Sequence, residues 1–130
     1  MKIHKWNEIP IEHLNPTFGR QAVHTDRMTI AHLHLKQGGV VPEHHHENEQ
    51  VSMVLEGKLK FLAAGEEYII GAGEVLQIPS NLPHRVEVLE DSVVFDLFAP
   101  VRTDWLNGND AYLRQAPEGV EVVIMEKAEI

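Results

Sequence analysis

Short runs in which apolar and polar residues alternate fill the middle of this chain of 130 residues, and glycine-containing turns separate them. Alternation with a period of two is typical of β-strands that bury one face. The pattern predicts strands over residues 28–35, 51–55, 58–63, 67–70, 75–78, 84–89 and 92–98. Many short strands at such regular spacing indicate an all-β protein, built as an antiparallel barrel or sandwich.

Turn residues mark the connections between these strands. Glu56-Gly57-Lys58 is predicted to form a tight hairpin turn between the strands at 51–55 and 58–63. A second hairpin is expected about Glu90-Asp91, which joins the last two strands of the series. The proline-rich stretch at 79–83 is expected to form a rigid loop before the strand that begins at His84.

The two ends of the chain lack this alternation. Residues 1–24 carry prolines and a glycine without a clean period, which predicts a loose N-terminal arm with one or two short edge strands. After Ala99-Pro100 the strand pattern breaks. Short helical turns are expected over residues 104–106 and 110–114, and a last strand over Val120–Met125. We therefore predict a single domain over 1–130, with a barrel core over 25–99 and a C-terminal extension over 100–130.

Composition and charge narrow the classes of partner. The chain has 20 acidic and 11 basic residues, a net charge of −9, and 43% apolar residues that can supply a core. This charge repels nucleic acid and anionic membranes, so neither is expected as a partner. The absence of cysteine excludes disulfides and thiolate metal sites. No signal peptide or membrane span is recognised, and the expected location is the cytoplasm.

A histidine-rich stretch carries the first candidate chemistry. His44 and His46 are two residues apart, so in an extended strand both imidazoles point to the same face. Gln50 keeps the same parity, and its amide oxygen can join them. His84, after the proline-rich loop, is a plausible fourth ligand. Three imidazoles and one oxygen suit a divalent transition ion, and the open coordination positions indicate a catalytic site.

The other histidines are interpreted differently. His32 and His34 lie in a predicted strand and are expected to be packed or surface residues, although one of them could reach the cavity. His4, His13 and His24 stand in polar, loop-like sequence and are not expected to bind metal.

A second group of polar residues follows the last barrel strand. Asp96 is a carboxylate within an apolar strand, so it must have a partner or face the cavity. Burial would raise its pKa, which suits a general acid or base. Arg102 lies just past the strand end, where its guanidinium could hold a carboxylate through two hydrogen bonds. A structural salt bridge between Asp96 and Arg102 is an equally open interpretation.

Two stretches of the sequence resemble the characteristic motifs of the cupin superfamily. The first runs from Gly38 through His44, His46 and Gln50 to Gly57, with Gln50 in place of the usual Glu. The second runs from Gly73 through Pro79 to His84, with Asn81 and Val88 in place of the usual Gly and Asn. The resemblance implies a jelly-roll-like β-barrel with a metal ion inside.

Within that superfamily the chain resembles the pectin-degradation proteins of the KdgF type. The resemblance rests on Gln50 and on the pattern Asp-x-Phe-x-x-x-Arg at residues 96–102. It implies ring opening of 4,5-unsaturated uronates to 5-keto-4-deoxyuronate. It also implies one divalent ion (Ni, Zn, Mn, Fe or Co) on His44, His46, Gln50 and His84. Asp96, Phe98 and Arg102 would be catalytic: a proton shuttle, a platform for the sugar face and a clamp for its carboxylate.

Two other functions stay open on the sequence alone. The same histidines suit an Fe or Mn dioxygenase acting on a small organic substrate, although the neutral amide of Gln50 favours non-redox chemistry over oxygenation. The third possibility is a metabolite-binding cupin without catalysis.

Apolar strand edges are also expected to be covered in a homodimer, to which residues 1–25 or 120–125 would add a strand.

Overall fold

Eight antiparallel strands form one sheet that curls around an apolar interior in the computed structural model, which describes residues 1–114. The strands are β1 (Glu12–Asn15), β2 (Phe18–His24), β3 (Thr29–Leu35), β4 (Val40–His44), β5 (Glu49–Ala63), β6 (Glu66–Gly71), β7 (Val75–Ile78) and β8 (His84–Ala99). A short helix, α1 (Thr103–Leu106), and two 3-10 turns (Trp6–Glu8 and Ala111–Leu113) complete the described elements. The predicted all-β barrel with short C-terminal helical turns is confirmed.

Strand β8 is the centre of the sheet. It pairs with β3 and β5 on its two sides, and its first residues also pair with β4. The pairing with β5 runs from Glu49 opposite Ala99 to Leu62 opposite Arg85. Strands β2 and β1 extend the sheet beyond β3, and β6 and β7 both pair with β5. This topology brings the start of β8, the end of β4 and the start of β5 to one end of the barrel.

The two predicted hairpins were wrong, because β5 and β8 are each continuous through the expected turns. Gly57 has a φ of 91°, and the register of β5 against β8 shifts between Val54 and Leu59. The extra residues form a bulge that bends the strand rather than a turn that reverses it. A Cβ at Gly57 would lie 2.1 Å from the hydroxyl oxygen of Ser92. Glycine is therefore needed here for close contact between the two long strands.

The interior follows from alternation along the strands. Ala31, Leu33 and Leu35 of β3 are buried, and the residues between them are half-exposed. The same alternation in β8 places Val94, Asp96 and Phe98 inside. Burial of each large apolar side chain contributes about 1.5–3 kcal/mol to folding. The barrel interior is apolar along most of its length and polar where Gln50, Ser52, His84 and Asp96 meet.

The N-terminal residues predicted as a loose arm contain β1 and β2, which join the sheet through β3. The side-chain amide of Gln21 in β2 donates to the carbonyl oxygens of Trp6 and Ile9, both at 2.7 Å, and so holds the first residues against the sheet. The strand predicted over Val120–Met125 lies outside the described residues. Among the residues described, none forms a helix with the length and apolar character needed to span a bilayer.

Candidate metal centre

Three histidines converge at the polar end of the barrel. His44 ends β4 and stands directly opposite His84, the first residue of β8. His46 lies two residues beyond β4, and one ring nitrogen of each histidine lies within 4.8 Å of the others. Asn81, in the second motif, adopts the left-handed conformation with φ 63°, and its N–H donates to the carbonyl of His46 at 2.8 Å. The asparagine thus takes the backbone conformation for which glycine would be expected.

Backbone carbonyl groups fix the orientation of all three rings. The acceptors are the carbonyl oxygens of Pro42, Asn48 and Leu82, which lie 2.8, 3.0 and 2.8 Å from Nδ1 of His44, His46 and His84 respectively. An Nδ1–H that donates to a carbonyl leaves Nε2 with a free lone pair, which is the form that binds a metal ion. One ring nitrogen of each of the three histidines can therefore bind the same ion.

The charge state of the cluster also fits a cation. Burial lowers the pKa of His44 and of His46 to about 4, and the positive charge of Arg102 contributes to the lowering at His46. Burial lowers the pKa of His84 as well. All three imidazoles are therefore neutral at pH 7 and available as ligands. The donor set, the orientation of the rings and the neutral charge state together suit one divalent transition ion.

Gln50 links the histidines to the carboxylate of Asp96. Its Oε1 lies 3.1 Å from Nε2 of His46, so the amide oxygen faces the histidine cluster. Its Nε2 donates to Ser52 Oγ at 2.9 Å and to Asp96 Oδ2 at 3.3 Å. The side chain is buried, and the two acceptors hold the amide in the orientation that presents its oxygen to the cluster.

Asp96 is a buried carboxylate with one free oxygen. It is 8% exposed, and Oδ1 has no hydrogen-bond partner within residues 1–114. Burial raises the pKa of Asp96 to about 6, against the opposing effects of Ser52 and Arg102. The side chain lines the same cavity as His44 and His84. The structure therefore places the predicted acid–base residue next to the predicted metal ligands.

Arg102 has a different partner from the one considered in the sequence analysis. Its Nε and Nη2 bind the two carboxylate oxygens of Asp104 at 2.9 and 2.7 Å, and no ion pair joins it to Asp96 in the described part of the chain. Asp104 lies only two residues after Arg102, in the first turn of α1, and is therefore close enough for the guanidinium to bind it. Arg102 is 1% exposed and also donates to the hydroxyl of Tyr112.

Aromatic rings surround this guanidinium. Its central carbon lies 4.6 Å from the ring centroid of Phe98 and 4.4 Å from that of Trp105. Phe98 is 3% exposed, with the ring of Trp105 at its edge, 5.1 Å away between centroids. The ring predicted as a platform for the sugar therefore contacts both Arg102 and Trp105, and it also lines the cavity.

Sequence reasoning missed Asp104, Trp105 and Tyr112, all of which lie beside Arg102. Trp105 and Tyr112 stand in stretches of mostly polar sequence, where an aromatic residue is the signal that could have indicated packing against the barrel. His32, by contrast, is packed outside the barrel between Trp6 and Phe95, with ring centroids 5.1 and 4.7 Å away.

The family model described as "Cupin domain" matches residues 31–98. The structure of KdgF from Halomonas sp. is similar, with 27% identity, a TM-score of 0.74, and coverage of 80% of this chain and 99% of that one. An RmlC-like cupin from Desulfovibrio desulfuricans is 28% identical over 78% of this chain and 98% of that one, with a TM-score of 0.61. An RmlC-like cupin from Shewanella frigidimarina is 22% identical over 81% of this chain and 96% of that one, with a TM-score of 0.75. At this identity the similarity shows the fold alone. No curated protein matches the sequence.

Proposed function

The chain belongs to the cupin family, and from that premise we propose that it is a metal-dependent enzyme that opens the ring of 4,5-unsaturated uronates to give 5-keto-4-deoxyuronate. The observation that carries the proposal is the row of contacts from His46 through Gln50 to Asp96, which sets a buried acid beside a neutral metal donor. The similarity to KdgF of Halomonas sp., at 27% identity, supports the same reaction class.

His44, His46, Gln50 and His84 would hold one divalent ion, with Ni, Zn, Mn, Fe and Co as the candidates. When bound, the ion supplies a Lewis acid that polarises a substrate oxygen without a change of oxidation state. Gln50 contributes an oxygen without a negative charge, so the ligand set leaves the charge of the ion intact. The backbone carbonyls that accept from each Nδ1 keep the imidazoles oriented.

Asp96 would move the proton that ring opening requires. The reaction breaks the bond between C1 and the ring oxygen, forms a carbonyl at C1 and another at C5, and transfers one proton from the anomeric hydroxyl to C4. It is an isomerisation that needs no oxidant. Oδ1 of Asp96 is the atom free to accept and deliver this proton, while Oδ2 is held by Gln50. Acid–base catalysis of this kind contributes roughly 10²–10⁴-fold to a rate.

Arg102 would bind the substrate carboxylate, and Phe98 would lie against the sugar ring. The Nε–Nη2 edge of Arg102 already holds Asp104. The Nη1–Nη2 edge is the one left for a substrate carboxylate. The Asp104–Arg102 pair is neutral overall, so the attraction for an anionic sugar comes from the bound ion and from hydrogen bonds rather than from a free positive charge.

Incubation of the metal-loaded protein with unsaturated galacturonate, followed by NMR, tests the proposal. We expect conversion to the open-chain keto acid at the same rate in air and under anaerobic conditions. The three-histidine set would also hold Fe(II), so oxygen uptake and loss of activity without oxygen would identify a dioxygenase instead. Recovery of the sugar unchanged after binding would identify a metabolite-binding cupin.

A further inference from the structure

The chain segment after the barrel forms one wall of the cavity around the histidines. The 3-10 turn Ala111–Leu113 packs against β4, and the ring of Tyr112 stacks on the imidazole of His44, with 4.7 Å between centroids and 29° between planes. Leu113 is buried, and its carbonyl accepts a hydrogen bond from the side chain of Asn15 at 2.9 Å. We refer to residues 110–113 as the closing turn.

An ion-pair cluster fastens the first residue of the closing turn. Asp110 is 1% exposed, and its carboxylate accepts from Arg20 at 2.9 Å and from Arg114 at 3.1 and 3.2 Å. The guanidinium of Arg20 also lies 4.4 Å above the ring of Trp105, which contacts Arg102 as well. The closing turn is therefore joined both to β2 and to the residues that surround Arg102.

The free space left inside the cavity is too small for a sugar. It amounts to about 40 Å³. A single water needs roughly 10–15 Å³ by this kind of measure, and pockets for small organic ligands enclose roughly 300–1,000 Å³. A uronate ring therefore cannot enter this space unless the residues that line it rearrange, and Tyr112, stacked on His44, is one of them.

Tyr112 also occupies a nitrogen that a substrate carboxylate would need. A carboxylate binds a guanidinium best through two parallel hydrogen bonds from neighbouring nitrogens. The Nε–Nη2 edge of Arg102 holds Asp104, and the remaining edge includes Nη2, which donates to the hydroxyl of Tyr112. The substrate carboxylate and the Tyr112 hydroxyl thus compete for the same donor.

We propose that Tyr112 determines the specificity of this site by closing the cavity until a carboxylate replaces its hydroxyl on Arg102. A ligand shifts a conformational equilibrium only by the contacts that it gains in one state. A sugar acid gains charge-assisted hydrogen bonds to Arg102 when the closing turn opens, whereas a neutral sugar gains none. The carboxylate requirement rests on the proposed function, but the closure itself does not.

The closure can be measured without any substrate, because the chain contains no cysteine. Val94 lines the cavity, whereas Val88 is buried but does not line it, so Val94→Cys reports entry to the cavity and Val88→Cys reports unfolding. Both would be labelled with a small methanethiosulfonate in the purified holoprotein. We expect Tyr112→Ala to raise the labelling rate of Val94→Cys by roughly tenfold or more, as loss of about 1.4 kcal/mol of closing energy would.

Tyr68 supplies the matched control, since it is the other tyrosine of the chain and is exposed. Tyr68→Ala should change neither rate, and Tyr112→Ala should leave the Val88→Cys rate unchanged. Equal labelling of Val94→Cys with and without Tyr112 would overturn the closure. If Tyr112→Ala does not fold, Tyr112→Phe, which loses only the hydroxyl, should still raise the Val94→Cys rate measurably, and an unchanged rate would again be negative.

Calorimetry tests the competition for Arg102 separately from turnover. D-galacturonate and D-galactose differ at C6, where one bears a carboxylate and the other a hydroxymethyl group, and neither has the C4–C5 double bond of the reaction. We expect Tyr112→Phe to bind galacturonate more tightly than wild type and to leave galactose binding unchanged. Weaker galacturonate binding, or no binding of galacturonate by either protein, would overturn the carboxylate requirement. Failure of uronate turnover with intact labelling differences would overturn the proposed reaction and leave the closure standing.

Discussion

A single side chain, Gln50, sets the charge of the candidate metal site. Its amide oxygen faces the histidines, and its nitrogen donates to Ser52 and Asp96. Gln50→Glu would add a negative ligand and place a second carboxylate beside Asp96. We expect metal binding to tighten by roughly tenfold, equivalent to about 1.4 kcal/mol. Turnover should fall, because the added charge weakens the Lewis acid and the new carboxylate lacks the amide donors.

Gln50→Ala is the paired control for this substitution. It removes a neutral donor without adding charge, so metal binding should weaken modestly while the three histidines remain. Affinities are measured by competition with a chromophoric chelator, and rates by NMR on the same preparations. If both variants bind metal as wild type does, Gln50 is not a ligand.

The metal ligands could be predicted from the sequence because their spacing matches the cupin motifs. The strand alternation that was also expected to align His46 and Gln50 with His44 does not hold, because β4 ends at His44 and β5 begins at Glu49. His44 and His46 are two apart, and His84 follows a proline-rich loop of its own. The environment of Arg102 could not be chosen in this way. Its contact with Tyr112 depends on the chain folding back across the barrel end, which no local pattern reports. The roles assigned to the metal ligands and to Asp96, Phe98 and Arg102 stay predictions.

At the level of elements, Gly57 decides whether β5 continues. Its φ is positive, at 91°, and a Cβ added there would lie within 2.7 Å of atoms of Asp91 and Ser92. Gly57→Ala should therefore cost both backbone strain and displacement of β8, together roughly 3 kcal/mol in the free energy of unfolding. Urea denaturation followed by circular dichroism measures this loss.

Gly65 provides the comparison for this prediction. It also has a positive φ, 77°, but nothing lies within 4 Å of the place that a Cβ would take. Gly65→Ala should therefore cost only the conformational strain, about 1 kcal/mol. Equal destabilisation by the two substitutions would show that the close contact between β5 and β8 at Gly57 adds nothing to the loss of stability in Gly57→Ala.

Strand positions were predictable, whereas the bends were not. The strands predicted over residues 28–35 and 75–78 agree closely with the bounds of β3 and β7. A strand that buries one face alternates apolar and polar residues, and this period is visible in the sequence. Glu56-Gly57-Lys58 has the composition of a turn, and only the partner strand makes it a bulge. The sequence signal for a glycine with positive φ is the same in both cases. Only the structure therefore shows that β5 pairs with β8 along its length.

On the scale of the whole molecule, the ion pairs of Asp110 should make the free energy of unfolding depend on pH in the acidic range. Burial disfavours its charged form, but hydrogen bonds from Arg114 and Arg20 outweigh this and lower the pKa of Asp110. A pKa below the unfolded value of about 3.9 means that ionised Asp110 stabilises the fold above about pH 4. This contribution is lost as the pH falls through the lower folded value.

Asp110→Asn should consequently lower stability by about 3 kcal/mol at pH 7, as loss of one partner from a buried pair does. The difference in Tm from wild type should shrink as the pH falls below about 4. Asp91→Asn is the control, since Asp91 pairs with Lys36 at 3.8 Å on the exposed surface and should show little effect at either pH. A Tm difference for Asp110→Asn that is independent of pH would contradict the assignment.

The assembly of the protein remains a prediction. The path of paired strands ends at β1 on one side and at β6 on the other, and uncovered strand edges favour association. We expect a homodimer, with twice the chain mass of 14.7 kDa in light scattering. A mass of one chain at high micromolar concentration would contradict it. The alternative use of residues 120–125 at the interface lies outside the described residues.

The central claim is metal-dependent ring opening with Asp96 as the proton-transfer group, and the rate of Asp96→Asn on unsaturated galacturonate tests it most directly. Asparagine keeps the shape and can still accept from Gln50, but it cannot exchange a proton. The account predicts that turnover falls roughly 10²–10⁴-fold. Metal content and Tm should stay near those of wild type. An Asp96→Asn protein that is less stable but fully active per folded molecule would contradict the claim.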